Sequence, residues 1–532
     1  MKFITRSLLI LLVLYGLVFA IGDAWLSHQH APLWLAGAFA AGFVGLQYAI
    51  APWFIEWLMS IVWDEDGVIL PAANREFVLR LCAERRIRVP RIGIIYSGTP
   101  NAFSFGHTPA NARVVITKGL IDVLKSEELN AVLAHEIGHV EHWDFAVMAI
   151  AALAPLLLYQ IYVFTRSGNG RMVGYTAYLC YLVSRFIVLL LNRTREYMAD
   201  HYAAEVTGEP GVLSSALVKI ACGLVRSDGE YARKLMGKSS GEKRAARREQ
   251  RLSGALAVMG ISNVQSGAAL ALGGANPGEA ANVMRWDLVN PWARIYELSS
   301  THPLTALRVQ ALNEDAAALH QSVAYPLPTN QRMEWRRFPL EVLLWAVPVA
   351  AVWVLFLSVV ADKWLTEWGF DLSAGAEAKL MILAGATWIL RTWYRYHGEF
   401  QNATIGTLIQ DLDVSQMRAR AVRLEGEIVG LGVPGVFWCP DLVLRDDTGM
   451  LFILYRQTIP FARFLFALMS ADELIGKRVL IEGWFRRGLR PYVEMSALKT
   501  EEGTTRRAWS RWVQYLLAGL AVAVGYLWLS TV

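Results

Sequence analysis

The 532-residue sequence has only four cysteines, Cys82, Cys180, Cys222 and Cys439, far apart and in no C-x-x-C pair. That excludes a disulfide framework and a cysteine-based zinc site. Charge is scarce as well: 18 % of the residues are Asp, Glu, Lys or Arg, against about 25 % in ordinary soluble domains. The net charge of +5 is too mild to imply nucleic acid by itself. No internal repeat is visible. With a hydrophobic share of 55 %, these shortages exclude a disordered chain and a fibrous repeat, and argue against a purely soluble enzyme. What is abundant is tryptophan, 20 in all, and indole rings settle at bilayer interfaces. At roughly 150 residues per domain the length allows three or four units.

Long apolar runs recur near 7–26, 33–57, 145–164, 173–191, 340–361, 377–392 and 513–531. A helix needs about 20 apolar residues to cross the hydrocarbon, so the sequence predicts about seven spans, with 377–392 the shortest. The first run follows Lys2 and Arg6 and can also be read as a signal peptide, although Asp23 and Trp25 make a poor cleavage site. Nearly all Lys and Arg fall in 58–144, 192–339 and 393–512. The positive-inside rule puts those segments in the cytoplasm. The implied organisation is a membrane hairpin at 1–57, then a soluble domain built from 58–144 and 192–339 and interrupted by a second hairpin at 145–191. A third hairpin at 340–392, a second soluble region at 400–508 and a last span at 513–531 follow. The basic stretch Arg233 to Arg251 reads as a solvated helical face or as a contact for anionic headgroups.

The chemistry concentrates at 126–142. Ser126 is a candidate N-cap, and Glu127 and Glu128 in the first turn suit the helix dipole. Leu129, Val132, Leu133 and Ile137 follow helical spacing. Inside lies His135-Glu136-Ile137-Gly138-His139, an H-E-x-x-H pattern. Its two histidines share one helix face, close enough to hold one metal ion, and Glu136 is placed as a general base. A catalytic zinc needs a third protein ligand and an open position. Glu196 is the best candidate, just past the fourth apolar run, with Asp200 one turn on to hold a ligand imidazole by its second N–H. His142 and His201 are rivals, and Glu196 can instead pair with Arg193 or Arg195. His139 lies about six residues, or about 9 Å, before the third run, and Glu196 about five residues past the fourth. The metal is therefore expected just above the cytoplasmic membrane surface, with Trp143 near the headgroups.

These pieces together resemble the HtpX-type membrane zinc metalloproteases, gluzincins related to the CAAX prenyl endopeptidases. Two further segments match: Asn101-Ala102-Phe103-Ser104-Phe105-Gly106 before the zinc helix, and Ser300-Thr301-His302-Pro303 followed by Arg308. The resemblance covers roughly 1–320. It implies one zinc per chain on His135, His139 and Glu196, with Glu136 as base and His302 supporting the oxyanion. Arg308 would position His302 or the substrate, and an edge strand at Asn101 to Phe105, with Asn101 and Phe103 as substrate-binding residues, would hold substrate extended. The segment 226–290 looks like an insertion, and everything after about 338 is additional.

Alternating strands near 420–429, 440–446, 450–457, 477–486 and 491–498, with an apolar helix near 461–470, resemble an OB-fold barrel. Trp484, Phe485, Arg486, Arg487 and Arg490 could suit nucleic acid, but a protein-contact module tethered by membrane spans is preferred, and no nucleic-acid partner is expected. Phe461, Phe464, Leu465, Phe466 and Met469 could press on the bilayer.

The expected protein is thus a membrane α-helical chain of about seven spans, with a mainly α zincin-type protease domain and a small OB-like β-barrel. Its expected activity is zinc-dependent endopeptidase cleavage of membrane-associated or misfolded proteins at the cytoplasmic face of a bacterial inner membrane. The competing expectations are a metal-stabilised adaptor that recruits partners through the barrel, and an intramembrane protease, for which the zinc helix is too polar.

Overall fold

A computed structural model of the chain describes residues 33–59, 61–166, 171–235, 277–327, 333–360, 374–431, 441–456, 474–488 and 491–531. The expectations at 7–26, at 461–470 and over most of 226–290 lie outside these residues. The described chain forms two compact units. One holds 33–235, 277–284 and 295–327; the other holds 285–294 and 333–531.

The first unit runs α1 (Leu33–Met59), β1 (Val62–Trp63), α2 (Ala72–Glu84), β2 (Arg91–Ile95), β3 (Ala102–Phe105), β4 (Arg113–Thr117), α3 (Lys118–Val123), α4 (Ser126–Glu141), α5 (Asp144–Thr165), α6 (Arg171–Thr207) and α7 (Pro210–Leu235). Then α8 (Pro277–Val289) and α9 (Pro291–Leu298) each contribute residues to both units, and α10 (Thr305–Ala318) completes the first. Its sheet has the order β1-β2-β4-β3, parallel between β2 and β4 and antiparallel elsewhere, so β3 is an edge strand. Alternation along β3 and β4 splits their side chains between two cores. Ala102, Val114 and Ile116 face a core with Leu129, Val132, Leu133 and Ile137 of α4. Phe103, Phe105 and Val115 pack with Met59 at the end of α1.

The metal-motif helix α4 is exposed at the start of its first turn and wrapped along the motif. Residues 131–140 are all buried, which is unusual for a segment carrying two histidines and a glutamate. Its N-cap is Lys125, one residue before the expected Ser126. Glu128 at the third helical position accepts a 2.8 Å hydrogen bond from the Lys125 N–H, half of a capping box. At the other end Trp143 takes a left-handed conformation, φ +59°, and turns the chain from α4 directly into α5.

Five described helices are long and apolar enough to cross a membrane: Gly37–Met59 within α1, Asp144–Thr165, Met172–Thr207 within α6, Phe338–Ser358 within α11 (Phe338–Val360), and Ser510–Thr531. The expected run at 377–392 falls in α12 (Ala374–Arg395), which is not among them, because Glu377, Lys379, Arg391 and Arg395 interrupt its apolar stretch. At about 1.5 Å per residue α6 is roughly 55 Å long, well beyond a hydrocarbon core of about 30 Å. Its C-terminal turns, with Glu196 and Asp200, are polar where the rest of the helix is apolar.

In the second unit α12 is followed by β5 (Gln401–Asn402), α13 (Ile405–Ile409), β6 (Arg420–Leu431), β7 (Leu442–Asp446), β8 (Gly449–Leu454), β9 (Arg478–Arg487), β10 (Pro491–Thr500), β11 (Thr505–Arg507) and α14 (Ser510–Thr531). Strands β6, β7, β8, β10 and β9 pair in that order, and β9 returns to β6, which closes a five-stranded barrel. Buried Leu424, Ile428, Leu442, Leu444, Leu451, Ile453, Ile481 and Val493 alternate along these strands with less buried residues.

Candidate metal centre

His135 and His139, one helical turn apart on α4, are both buried, and their Nε2 atoms face each other at 3.2 Å. Glu196 arrives from α6. Its Oε2 lies 3.7 Å from His135 Nε2 and its Oε1 lies 3.7 Å from His139 Nε2. Among the described residues this is the one group of three His, Cys, Asp or Glu whose ligand atoms converge within 4.8 Å. Tetrahedral zinc with bonds of about 2.0–2.1 Å holds its ligand atoms roughly 3.3 Å apart. The three observed separations fit that geometry, and two imidazole nitrogens aimed at one another beside a buried carboxylate is a cation's donor set.

Gly138 makes this convergence possible. A Cβ there would come within 2.9 Å of the Tyr202 ring and 3.5 Å of the Ala199 Cα. Any side chain at 138 would have to displace the Tyr202 ring of α6, the helix that carries Glu196.

Each histidine is oriented from behind. Asp200 Oδ1 is 3.0 Å from His135 Nδ1, and Asp144 Oδ2 is 2.5 Å from His139 Nδ1. A carboxylate on Nδ1 leaves Nε2 with its lone pair toward the metal. The carboxylates are themselves held. Arg195 Nε lies 2.8 Å from Asp144, and Arg308 makes two hydrogen bonds to Asp200, 2.7 and 2.5 Å. Burial works against a proton on His139, yet Asp144, Glu196 and Glu136 outweigh it and raise the imidazole pKa above its ordinary value. The guanidinium of Arg308 is likewise raised: burial lowers it, and Asp200 and Glu196 more than compensate.

The remaining expected residues fall as follows. Glu136 is buried beside the ligands and forms no hydrogen bond or ion pair among the described residues; its charge acts on His139. His302 Nδ1 is 3.3 Å from Glu196 Oε2. The loop that carries it is fastened to α6 by Asn192, which donates to the Thr301 carbonyl, and by Arg193, which donates to the carbonyls of Glu297 and Ser300. Arg308 is 1 % exposed, with its nitrogens turned to Asp200 and Glu196. Asn101 and Phe103 are buried too. Phe103 packs in the core, and among the described residues no strand pairs with the outer edge of β3, where the Ala102 N–H donates to Asn101 Oδ1.

The rival ligands are elsewhere. The His142 ring stacks edge-on to Tyr202, and His201 pairs with Asp315. Arg193 and Arg195 are engaged with loop carbonyls and Asp144, so neither takes the Glu196 carboxylate as its partner. Asp144 and Arg195 as an orienting pair were missed from the sequence. The signal available was an acid five residues beyond His139 at the start of an apolar run.

A histidine pair and a glutamate that could hold one metal ion converge beside helices apolar enough to cross a membrane, which is the setting of a membrane-bound metallopeptidase. The profile of "Peptidase family M48" matches residues 75–316. The "Protease HtpX homolog" of Methanothermobacter thermautotrophicus is 38 % identical over 224 residues, 40 % of this chain and 84 % of that protein. The homolog from Moorella thermoacetica is 36 % identical over 37 % of this chain and 72 % of its own. "Protease HtpX" of Legionella pneumophila is 31 % identical over 34 % and 68 %. The crystal structure of S. mikatae Ste24p superposes with a TM-score of 0.36 and 18 % identity, over 58 % of this chain and 65 % of that one, a likeness too low to argue from. The chain belongs to the HtpX-type proteases of peptidase family M48.

Proposed function

We propose that this metalloprotease uses one zinc ion on His135, His139 and Glu196 to cleave membrane-associated or misfolded proteins at the cytoplasmic face of an inner membrane. The observation that carries the reading is placement: the ligand cluster is tied to the first residue of the α5 span through Asp144 and follows the apolar part of α6. Nearly all basic residues lie on the same side as that cluster in the positive-inside assignment.

Zinc, when bound, would supply a Lewis acid and bring the pKa of water to about 7. The protein's own groups do the rest. Glu136 takes a proton from the attacking water and delivers it to the leaving amine. His302 donates toward the oxygen on which negative charge develops. The outer edge of β3 pairs with the main chain of an extended substrate, a mode of binding that reads no side chain. Asp200, Asp144 and Arg308 keep the ligands aimed.

We read the barrel as OB-like, on its closure through a parallel β8–β10 pairing, and as a protein-contact module. The adaptor alternative is weaker, because a scaffold has no use for a buried Glu136 beside the ligands. The test is cleavage of an unfolded, membrane-anchored reporter by wild type and Glu136→Gln at matched zinc content. A loss of 10²–10⁴-fold is expected from removing a general base. Equal rates would overturn the mechanism.

A further inference from the structure

The second unit carries an unbalanced cluster of guanidinium groups where α12 ends and α14 begins. The two helices pack antiparallel: Gly385 lies against Ala518 and Val522, and Gly525 lies against Ala378 and Ile382. Gln514 on α14 reaches the Tyr396 hydroxyl just past α12, 3.4 Å away. The C-terminal end of α12 thus lies beside the N-terminal end of a candidate membrane span, and strand β9 of the barrel meets both.

The one carboxylate at the centre is already committed. Glu494 accepts from Arg486 Nε at 3.1 Å and from the Tyr396 hydroxyl at 2.5 Å, and Arg395 stands off at 3.5 Å. Burial raises the Glu494 carboxyl, but Arg486, Arg395 and Arg456 outweigh it and keep it below its ordinary range, so it stays ionised. Arg486 is fully buried, and its other nitrogens donate to the carbonyls of Gln416 and Arg395. That accounts for Arg486 and Glu494 as a structural pair.

Three more cations surround this pair, of which Arg395 shares Glu494 at 3.5 Å. Arg391 lies over the Trp388 face, at 5.0 Å, makes no ion pair among the described residues, and feels the like charges of Arg395 and Arg486. Arg395 keeps a buried Nε with no hydrogen-bond partner. Arg511 lies over the rings of Trp484 and Trp512, at 5.2 and 4.7 Å, and makes no ion pair among the described residues. Trp484, almost completely buried, has an indole N–H with no acceptor. Arg391 and Arg395 are four apart on one helix, where like charges repel. Held this close, with Glu494 shared between Arg395 and Arg486, they leave net positive charge for an anion from outside the chain to balance. Trp393, Trp509 and Trp512 are each more than half exposed around the same place, and exposed indoles at the start of an apolar helix mark the headgroup layer.

We propose that Arg391, Arg395 and Arg511 form a binding site for the phosphate of an anionic phospholipid at the junction of α12, α14 and the barrel. Guanidinium forks match phosphate oxygens in pairs. The flanking tryptophans place that phosphate at headgroup depth, which selects a lipid phosphodiester over phosphate free in solution. Occupancy would brace the barrel against the membrane helices.

The test is native mass spectrometry of the full-length protein in detergent, titrated with phosphatidylglycerol or phosphatidylcholine, with Arg391→Gln/Arg511→Gln beside wild type. Each basic residue at an anionic surface is worth about fivefold in affinity, so the double variant should bind phosphatidylglycerol roughly 30-fold more weakly. Its binding of phosphatidylcholine should be unchanged. The Arg391→Lys/Arg511→Lys variant should recover part of the affinity, and it keeps the test open if the Gln variant fails to fold. Equal retention of the two lipids by wild type, or equal phosphatidylglycerol binding by wild type and the Gln variant, would overturn the site. So would inorganic phosphate that competes phosphatidylglycerol off at equal concentration, which would assign the cluster to a free anion.

Discussion

Asp144 Oδ2 lies 2.5 Å from His139 Nδ1, and Asp144 is the first residue of the membrane helix α5. The position of a membrane segment therefore sets the aim of a metal-site imidazole. Arg195, on the segment returning from the membrane, grips the other oxygen of the same carboxylate. Asp144→Ala should weaken zinc binding 10–100-fold, the usual cost of losing such a support, and Asp144→Asn, which keeps an acceptor, should lose less. Competition with a chelator of known affinity measures this, and equal zinc retention by Asp144→Ala would refute the coupling.

Much of the centre was legible because local periodicity dictates it. An i, i+4 histidine pair must share a face, and Glu196 and Asp200 must share another for the same reason. The barrel strands were legible from alternation, and the structure places each within a few residues of the expected run. What could not be read was long-range geometry. Nothing local says that Gly138 faces Tyr202, that Arg308 reaches back across 108 positions to Asp200, or that Arg193 fastens the His302 loop. The run at 377–392 forms a helix as expected, and the charges at 377, 379, 391 and 395 keep it off the set of helices apolar enough to cross by composition alone.

The Glu128–Lys219 pair predicts acid sensitivity. Burial pushes the Glu128 carboxyl up, while Lys219, the Lys125 N–H and the Ser215 hydroxyl outweigh it and leave its pKa below the ordinary value. A carboxyl depressed on folding contributes stability that is fully present above its unfolded pKa, about 4.3. That stability is lost as pH falls through the lowered folded value. Lys219→Met should shift the acid-unfolding midpoint to higher pH. At neutral pH the cost should be about 1 kcal/mol, because Lys219 is 35 % exposed and its charge is screened. An unchanged midpoint in a pH titration of circular dichroism would rule the pair out as a determinant.

Gly138→Ala should lower the melting temperature and loosen zinc together. One methyl group must displace the Tyr202 ring from 2.9 Å, and overpacking of this kind costs about 1–3 kcal/mol. The strain falls on the α4–α6 contact that delivers Glu196, so metal affinity should drop with stability. Calorimetry of apo and zinc-loaded protein separates the two effects. A variant that melts like wild type would mean that α6 yields freely at this contact.

His302 can act on the reaction or merely complete the packing around Glu196, and the two roles differ in what they leave intact. Its Nδ1 stands 3.3 Å from Glu196 Oε2, on a loop that Asn192 and Arg193 hold independently of the imidazole. Removing the ring should therefore leave the loop, the ligands and the fold in place. If His302 donates to the developing oxyanion, His302→Ala should lower kcat by about 10²–10³, as loss of one such donor does. KM and zinc content should hardly move, because that interaction forms only in the transition state. A structural role would show the opposite pattern, with zinc affinity and melting temperature falling and kcat per bound zinc preserved. Measuring zinc stoichiometry and steady-state kinetics on one preparation decides between them.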